Sequence, residues 1–301
     1  RTPSQKEKKK KGEGWEGFQI KGVALGMCGY QRLKRKVTGV EKLKELLGYE
    51  NELTEIDLSE NKELVLLSLN TNKLSAANFD NNNALTTLFI SNNELKELNV
   101  KPCINLRTIA FENNQLQEVD LSKNALIESI YAQKNKLTKL NLKGLNGLRM
   151  LSCEYNALSS IALDENLKQL EAVYCFCNQL KGQEMKSLCN MLPVREDNKK
   201  GEFYVVDTTN PTEENQCTKK DVEVANKHNW QVYNYKNKEN NGKNLYEGKE
   251  NPTGLNLPEG PVQPRPRALA AAPASCCVTT GVEPPDGRGQ GPGLPTGTGR
   301  P

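Results

Sequence analysis

Asparagines at positions 51, 72, 93, 114, 135, 156 and 178 recur at steps of 21 residues and finally 22, and one apolar frame travels with them. Apolar residues stand eight, five and three places before each asparagine and two places after it. Around Asn72 these are Leu64, Leu67, Leu69 and Leu74; around Asn93 they are Leu85, Leu88, Ile90 and Leu95. Asn114 has Leu106, Ile109, Phe111 and Leu116, and Asn135 has Ile127, Ile130, Ala132 and Leu137. Asn156 keeps Leu148, Leu151, Cys153 and Leu158, and Asn178 keeps Leu170, Val173, Cys175 and Leu180. The first frame is worn, because Gly48 takes one of its apolar slots. A second apolar pair follows at plus five and plus seven, from Ile56/Leu58 to Ile161/Leu163. It is usually closed by another asparagine (Asn61, Asn82, Asn124, Asn166), though Cys103 and Leu145 interrupt that column.

A period of about 21 residues carrying two L-x-L segments predicts a solenoid. Each segment is a strand too short to persist alone, and stacking on the next coil about 4.8 Å away builds a parallel sheet. The leucines then point inward, each onto its equivalent in the neighbouring coil. Where a coil turns, backbone N–H and C=O groups face the interior. A side-chain amide both donates and accepts, so Asn72, Asn93, Asn114, Asn135, Asn156 and Asn178 are expected to satisfy those groups.

The frame L-x-x-L-x-L-x-x-N-x-L resembles leucine-rich repeats over about residues 43–180. So do Ile56-Asp57-Leu58-Ser59-Glu60-Asn61 and Val119-Asp120-Leu121-Ser122-Lys123-Asn124. The 21-residue length is most similar to the internalin-J-like repeats of bacterial surface proteins. That subtype often carries cysteine at the inward third slot, which Cys153 and Cys175 occupy here. The following module resembles the cap that closes such repeats in gut and oral bacterial proteins. In it, residues 182–192 read as an amphipathic helix stopped by Pro193, and 202–206 as a strand. Thr218 N-caps a helix at about 219–228, and Trp230-Gln231-Val232-Tyr233 reads as a closing strand. The resemblance implies an α/β-type, mostly β leucine-rich repeat solenoid with a small α/β cap, outside the cell or on the surface of a bacterium.

Composition fits a thin, solvated fold with tails: 36% of the 301 residues are hydrophobic, and mean hydropathy is −0.69. The expected organisation is a basic N-terminal arm over 1–40, the solenoid over 41–180, a cap over 181–246, and a disordered Pro/Gly-rich tail over 247–301. The tail reads either as a linker to an anchor or as sequence foreign to the repeat protein, and the first 26 residues invite the same doubt. The chain starts at Arg1 with no leader, so we expect a fragment. A net charge of +4 does not demand nucleic acid as a partner. The Lys6–Lys11 run, with no interleaved aromatics, reads as a solvated arm rather than a nucleic-acid or membrane patch. No apolar stretch approaches the ~20 residues of a transmembrane helix.

The chemistry-bearing residues form no catalytic or metal motif, and no cofactor is expected. Cys153 and Cys175 read as buried small hydrophobes; Cys175 and Cys177 lack a second ligand pair for zinc. Cys189 and Cys217 are left open as a pair, while Cys276 and Cys277 fall in the suspect tail. His228, the one histidine, reads as a helix-end residue. Glu112 and Glu154 share an outward column two coils apart, with Gln133 between them. They resemble a glycosidase pair only in their spacing, because an open sheet desolvates neither.

Function is expected at the positions the repeat does not constrain. Four places before each asparagine the side chain points outward: Leu47, Ser68, Phe89, Ala110, Tyr131, Ser152 and Tyr174. With their neighbours, the candidate ligand-binding set is Phe89, Glu112, Tyr131, Lys134, Glu154, Tyr155, Tyr174 and Phe176. Exposed aromatics bury much area at low entropic cost. The favoured reading is therefore a non-enzymatic module binding a protein, such as one on a host or neighbouring cell, with a glycan as a variant ligand. The alternative is a structural spacer. The alternative to exposure is that the cap or the tail covers part of the aromatic patch.

Overall fold

A computed structural model describes residues 24–26, 37, 39–236 and 243–250. The lysine run, Cys276 and Cys277, and all but the first four residues of the expected C-terminal tail lie outside the described residues.

Among the described residues, one short strand per coil stacks into a sheet of eleven strands. They begin with β1 (Ala24–Gly26), β2 (Glu45–Leu47), β3 (Leu66–Ser68), β4 (Thr87–Phe89) and β5 (Thr108–Ala110). The sheet continues through β6 (Ser129–Tyr131), β8 (Met150–Ser152) and β10 (Ala172–Tyr174). These pair in parallel with no slip of register: Leu46 faces Leu67, which faces Leu88, then Ile109, Ile130, Leu151 and Val173. The inward residues of the frame are buried, as Leu64, Leu67, Leu69 and Leu74 illustrate. β1 sits inside the arm to which the sequence assigns no element; it pairs with β2, placing Leu25 opposite Leu46.

The second L-x-L segment departs from its expected strand form. It pairs only as β7 (Lys139–Asn141) with β9 (Ser160–Ala162). Its middle residue also turns the chain in most coils, Asn141 of β7 included. Asp57, Asn78, Asn99 and Asp120 each accept the backbone N–H two residues on, at 2.8–3.2 Å. The flanking Leu58, Phe79, Val100 and Leu121 remain buried.

The asparagine column ties coil to coil. Asn114 donates through Nδ2 to Phe111 O in its own coil (3.0 Å) and to Ile90 O in the coil before (3.1 Å). Its Oδ1 accepts Leu95 N–H of that earlier coil at 3.0 Å. Asn72, Asn93, Asn135, Asn156 and Asn178 repeat the pattern. The second column does half as much. Asn82 and Asn124 donate to carbonyls of the preceding coil, but their buried Oδ1 atoms have no partner. A residue there serves only carbonyls that the turn itself already bonds, as Asn82 N–H does for Phe79 O. That is why Cys103 and Leu145 are tolerated in this column.

The residue before each ladder asparagine is left-handed, from Glu50 (φ 55°) and Thr71 (57°) through Asn92, Asn113, Lys134 and Tyr155 to Cys177 (54°). None is glycine, so the amide holds the turn against a cost of roughly 1 kcal/mol per coil.

Beyond Asn178 come α1 (Gly182–Met191), β11 (Gly201–Val206), α2 (Lys219–Lys227), β12 (Trp230–Asn234) and β13 (Asn244–Leu245). β11 and β12 extend the sheet in parallel, and β13 turns back antiparallel. Thr218 and Asp221 form a reciprocal capping box at the start of α2. Asn215 repeats the ladder geometry 37 residues past Asn178. It accepts Leu180 N–H at 2.9 Å and donates to Cys175 O and Val205 O, both at 2.8 Å. Glu213 takes the place of a further coil by accepting Cys177 N–H and Asp207 N–H. Gly201 lies against Trp230, whose ring a Cβ at that position would approach to 2.4 Å. The indole N–H in turn donates to Pro193 O at 2.7 Å.

Replacing Asn114 with Leu should lower stability by about 1–3 kcal/mol, because buried donors and acceptors lose their partner. Asn124→Leu should cost distinctly less; equal shifts in the urea midpoint for the two variants would overturn the division between columns. Thr71 is a β-branched residue at a left-handed position where later coils carry Asn92 and Asn113. Thr71→Asn should therefore raise stability by about 0.5–1 kcal/mol in the same assay.

Candidate functional site

In the long sheet, β2 to β6, β8 and β10 each bury the middle side chain and turn the flanking ones to the open face. The last strand position reads, coil by coil, Leu47, Ser68, Phe89, Ala110, Tyr131, Ser152, Tyr174. Large and small residues alternate along this row. Phe89, Tyr131 and Tyr174 are half-buried, whereas Ser68, Ala110 and Ser152 lie at the bottom, 5–7% exposed.

Two residues further along the strand direction sit the carboxylates. Glu112 is half-buried with its Oε2 enclosed and without a hydrogen-bond partner. Glu154 Oε2 lies 2.7 Å from Ser152 Oγ, which is also 3.2 Å from Gln133 Oε1. Burial holds the Glu154 carboxyl above the usual range; the Ser152 hydrogen bond and the Lys134 charge oppose this, and Glu112 reinforces it. Lys134 is exposed, with its ammonium 5.9 Å from the centre of the Tyr155 ring.

Toward the C-terminal end the rings close on one another. Tyr174 stacks on Tyr204 with centroids 4.2 Å apart, and Tyr204 stacks on Tyr233 at 4.9 Å. This follows from register, since β10 places Tyr174 opposite Tyr204 and β12 places Tyr233 opposite Tyr204. Tyr204 donates to Glu202 Oε2 and Tyr233 to Gln231 Oε1, and Lys243 pairs with Glu202. Phe176, expected outward, is only 2% exposed. Tyr235 stacks on its face at 4.4 Å, and Tyr155 meets it edge-on at 5.3 Å. Phe176 is therefore part of the packing beneath the surface, because Tyr235, just past the end of β12, lies over it.

The structure thus brings Phe89, Glu112, Tyr131, Glu154 and Tyr174 onto one face, with Lys134 and Tyr155 along its border. Sequence reasoning missed Tyr204 and Tyr233, buried within the stack at 2% and 6% exposed, and the half-buried Tyr235 and Glu202. The outward row could not be extended past Asn178 because the next ladder asparagine, Asn215, does not stand 21 residues on. Aligning the inward residues Phe203 and Val232 with Val173 would have found them.

The described thiols lie inside. Burial pushes those of Cys153 and Cys175 well up, and those of Cys103 and Cys177 up to about 12. Cys189 and Cys217 are free and buried in the described structure. His228 closes α2, with Nδ1 2.7 Å from Leu192 O. Among the described residues no group of three His, Cys, Asp or Glu is placed to hold a metal ion. No described helix is long and apolar enough to cross a membrane.

A parallel sheet built from one short strand per coil, tied by a column of buried asparagines, defines a repeat solenoid. Its counterparts among solved structures are leucine-rich repeat proteins. The leucine-rich repeat domain of APL1B matches with a TM-score of 0.53 and 18% identity, over 70% of this chain and 63% of that one. The functional domain of InlJ from Listeria monocytogenes, which includes a cysteine ladder, matches at 0.43 and 22%, over 62% and 49%. YopM, an effector protein of Yersinia pestis, matches at 0.43 and 25%, over 52% and 50%. The chain spans between 49% and 63% of the length of these structures. No protein-family model and no curated protein sequence matches it. The fold is that of a leucine-rich repeat solenoid.

Because Glu154 titrates higher when folded, the folded chain holds more protons than the unfolded one just above the ordinary carboxylate pKa. Its contribution to stability therefore grows as pH falls through that window and is lost as pH rises through the raised value. Glu154→Gln should flatten the change in urea midpoint as pH rises from just above the ordinary carboxylate range. A pH slope identical to that of the parent would remove Glu154 from this titration.

Proposed function

We propose that the chain is a non-enzymatic protein-recognition module that binds its ligand on the open face of the long sheet. The observation that carries this reading is the set of half-exposed rings, Phe89, Tyr131 and Tyr174, at positions the repeat leaves free. Burying such rings against a partner would stabilise a complex, since each removes a large apolar area from water. A spacer would have no use for them, and uniformly polar residues would serve it better. A catalytic reading is disfavoured by the separation of Glu112 and Glu154, which stand two coils apart with Gln133 between them. The resemblance of the 21-residue repeat to bacterial surface proteins favours presentation outside the cell, toward a host or neighbouring-cell protein. In that setting the segment after Asn178 would act as the cap that keeps the last coil from pairing with other chains.

The double substitution Tyr131→Ala with Tyr174→Ala should leave the circular dichroism spectrum intact. It should weaken capture of a protein ligand by at least about tenfold. A photo-crosslinker at position 89 should form protein adducts that the same group at Lys123, on the opposite side of the coil, does not. Equal adducts at both positions, or capture unchanged by the double substitution, would assign binding elsewhere.

A further inference from the structure

The alternation along the outward row has a chemical consequence. Between Phe89 and Tyr131 lies Ala110, with Glu112 two residues further along the same strand direction. Between Tyr131 and Tyr174 lies Ser152, with Glu154 in the equivalent place. The unit is therefore a ring, a low floor with one carboxylate beside it, and a ring again. It repeats every second coil, or about every 9.6 Å at ordinary strand spacing. Among the described residues no other ring stacks on Phe89 or Tyr131, in contrast to Tyr174, Tyr204 and Tyr233, which fill adjacent coils and close against one another.

We infer that these two slots bind a proline-rich peptide in the polyproline II conformation, with proline at every third residue and arginine on the adjacent edge. This rests on the reading of the open face as a protein-binding surface and specifies its partner. A polyproline II helix repeats every three residues, or about 9.3 Å, so successive prolines on one side fall into successive slots. An extended β-strand presents same-side residues about 6.8 Å apart and loses register after one slot. An α-helix, about 10–12 Å across, is too broad to enter between the rings. Prolines pack well on aromatic walls, and the conformation is largely preformed, so little entropy is lost on docking.

Charge sets the second requirement. Glu112 and Glu154, both only half-buried, repel one another. Lys134, between them in sequence, lies over the Tyr155 ring. Arginines three residues apart on the peptide match the spacing of the two carboxylates and offer each a charge-assisted pair.

The test uses the full chain and a fluorescent peptide of about four Pro-Arg-Ala repeats, enough to span both slots. Fluorescence anisotropy should show saturable binding. It should weaken about tenfold or more with Tyr131→Ala, and similarly with Ala110→Leu, which fills a slot, each with the circular dichroism spectrum unchanged. Glu112→Gln with Glu154→Gln should weaken it and flatten its salt dependence. The control peptide replaces every proline with glycine, keeping the charge and losing the conformation. Equal binding of that control, or no binding of the proline peptide, overturns the inference. The protein-recognition reading is then judged separately by the Tyr131/Tyr174 capture experiment. Saturable binding of a β-linked hexasaccharide in place of either peptide, abolished by Tyr131→Ala, overturns both.

Discussion

The buried asparagine amide is the interaction on which this structure depends. A chain that coils every 21 residues must turn inward-facing N–H and C=O groups away from water, and each left unpaired costs about 1–3 kcal/mol. The amide of Asn114 meets three of these groups at once and spans two coils in doing so. The left-handed residue beside it is tolerated because the turn is held from both sides. Leucine burial supplies the larger share of the energy, but it is non-directional. The asparagines fix the register in which the leucines stack.

The same constraint explains how the solenoid ends. After Asn178 the 21-residue beat stops, yet the last coil still has groups to satisfy. Asn215 reaches back to Leu180 and Cys175 as a ladder asparagine would, and the Glu213 carboxylate accepts the N–H of Cys177. The intervening residues form α1 and β11, so the ladder gains a rung by tertiary contact rather than by repetition. Trp230 then closes against Gly201, which has no Cβ to obstruct it.

With the interior assigned to leucine, asparagine and thiol, the open face is chemically free, and it divides into two regimes. Where rings occupy adjacent coils, as at Tyr174, Tyr204 and Tyr233, they stack and rigidify one another. Where a ring and a small residue alternate, from Phe89 to Tyr174, they leave slots flanked by carboxylates. Buried, partly desolvated acids such as Glu154 make the second regime responsive to charge in a way the tyrosine stack is not.

The sequence by itself determined the solenoid, the coil boundaries, and which columns face in. All three follow from local spacing, repeated often enough that chance cannot mimic it. The outward row as far as Tyr174 was legible for the same reason, and so were the two helices and two longer strands that follow. Only the tertiary structure decided what happens where the period fails. Burial of Phe176 depends on Tyr235, 59 residues later, and Tyr204 and Tyr233 stack on from Tyr174 only because β11 and β12 pair beyond β10. Pairing of the second L-x-L segments in just two coils was also beyond sequence, since turn and strand there bury the same leucines. A pattern of period 21 carries information only while it repeats; past its last beat, contacts between distant residues decide which aromatics are core and which are surface.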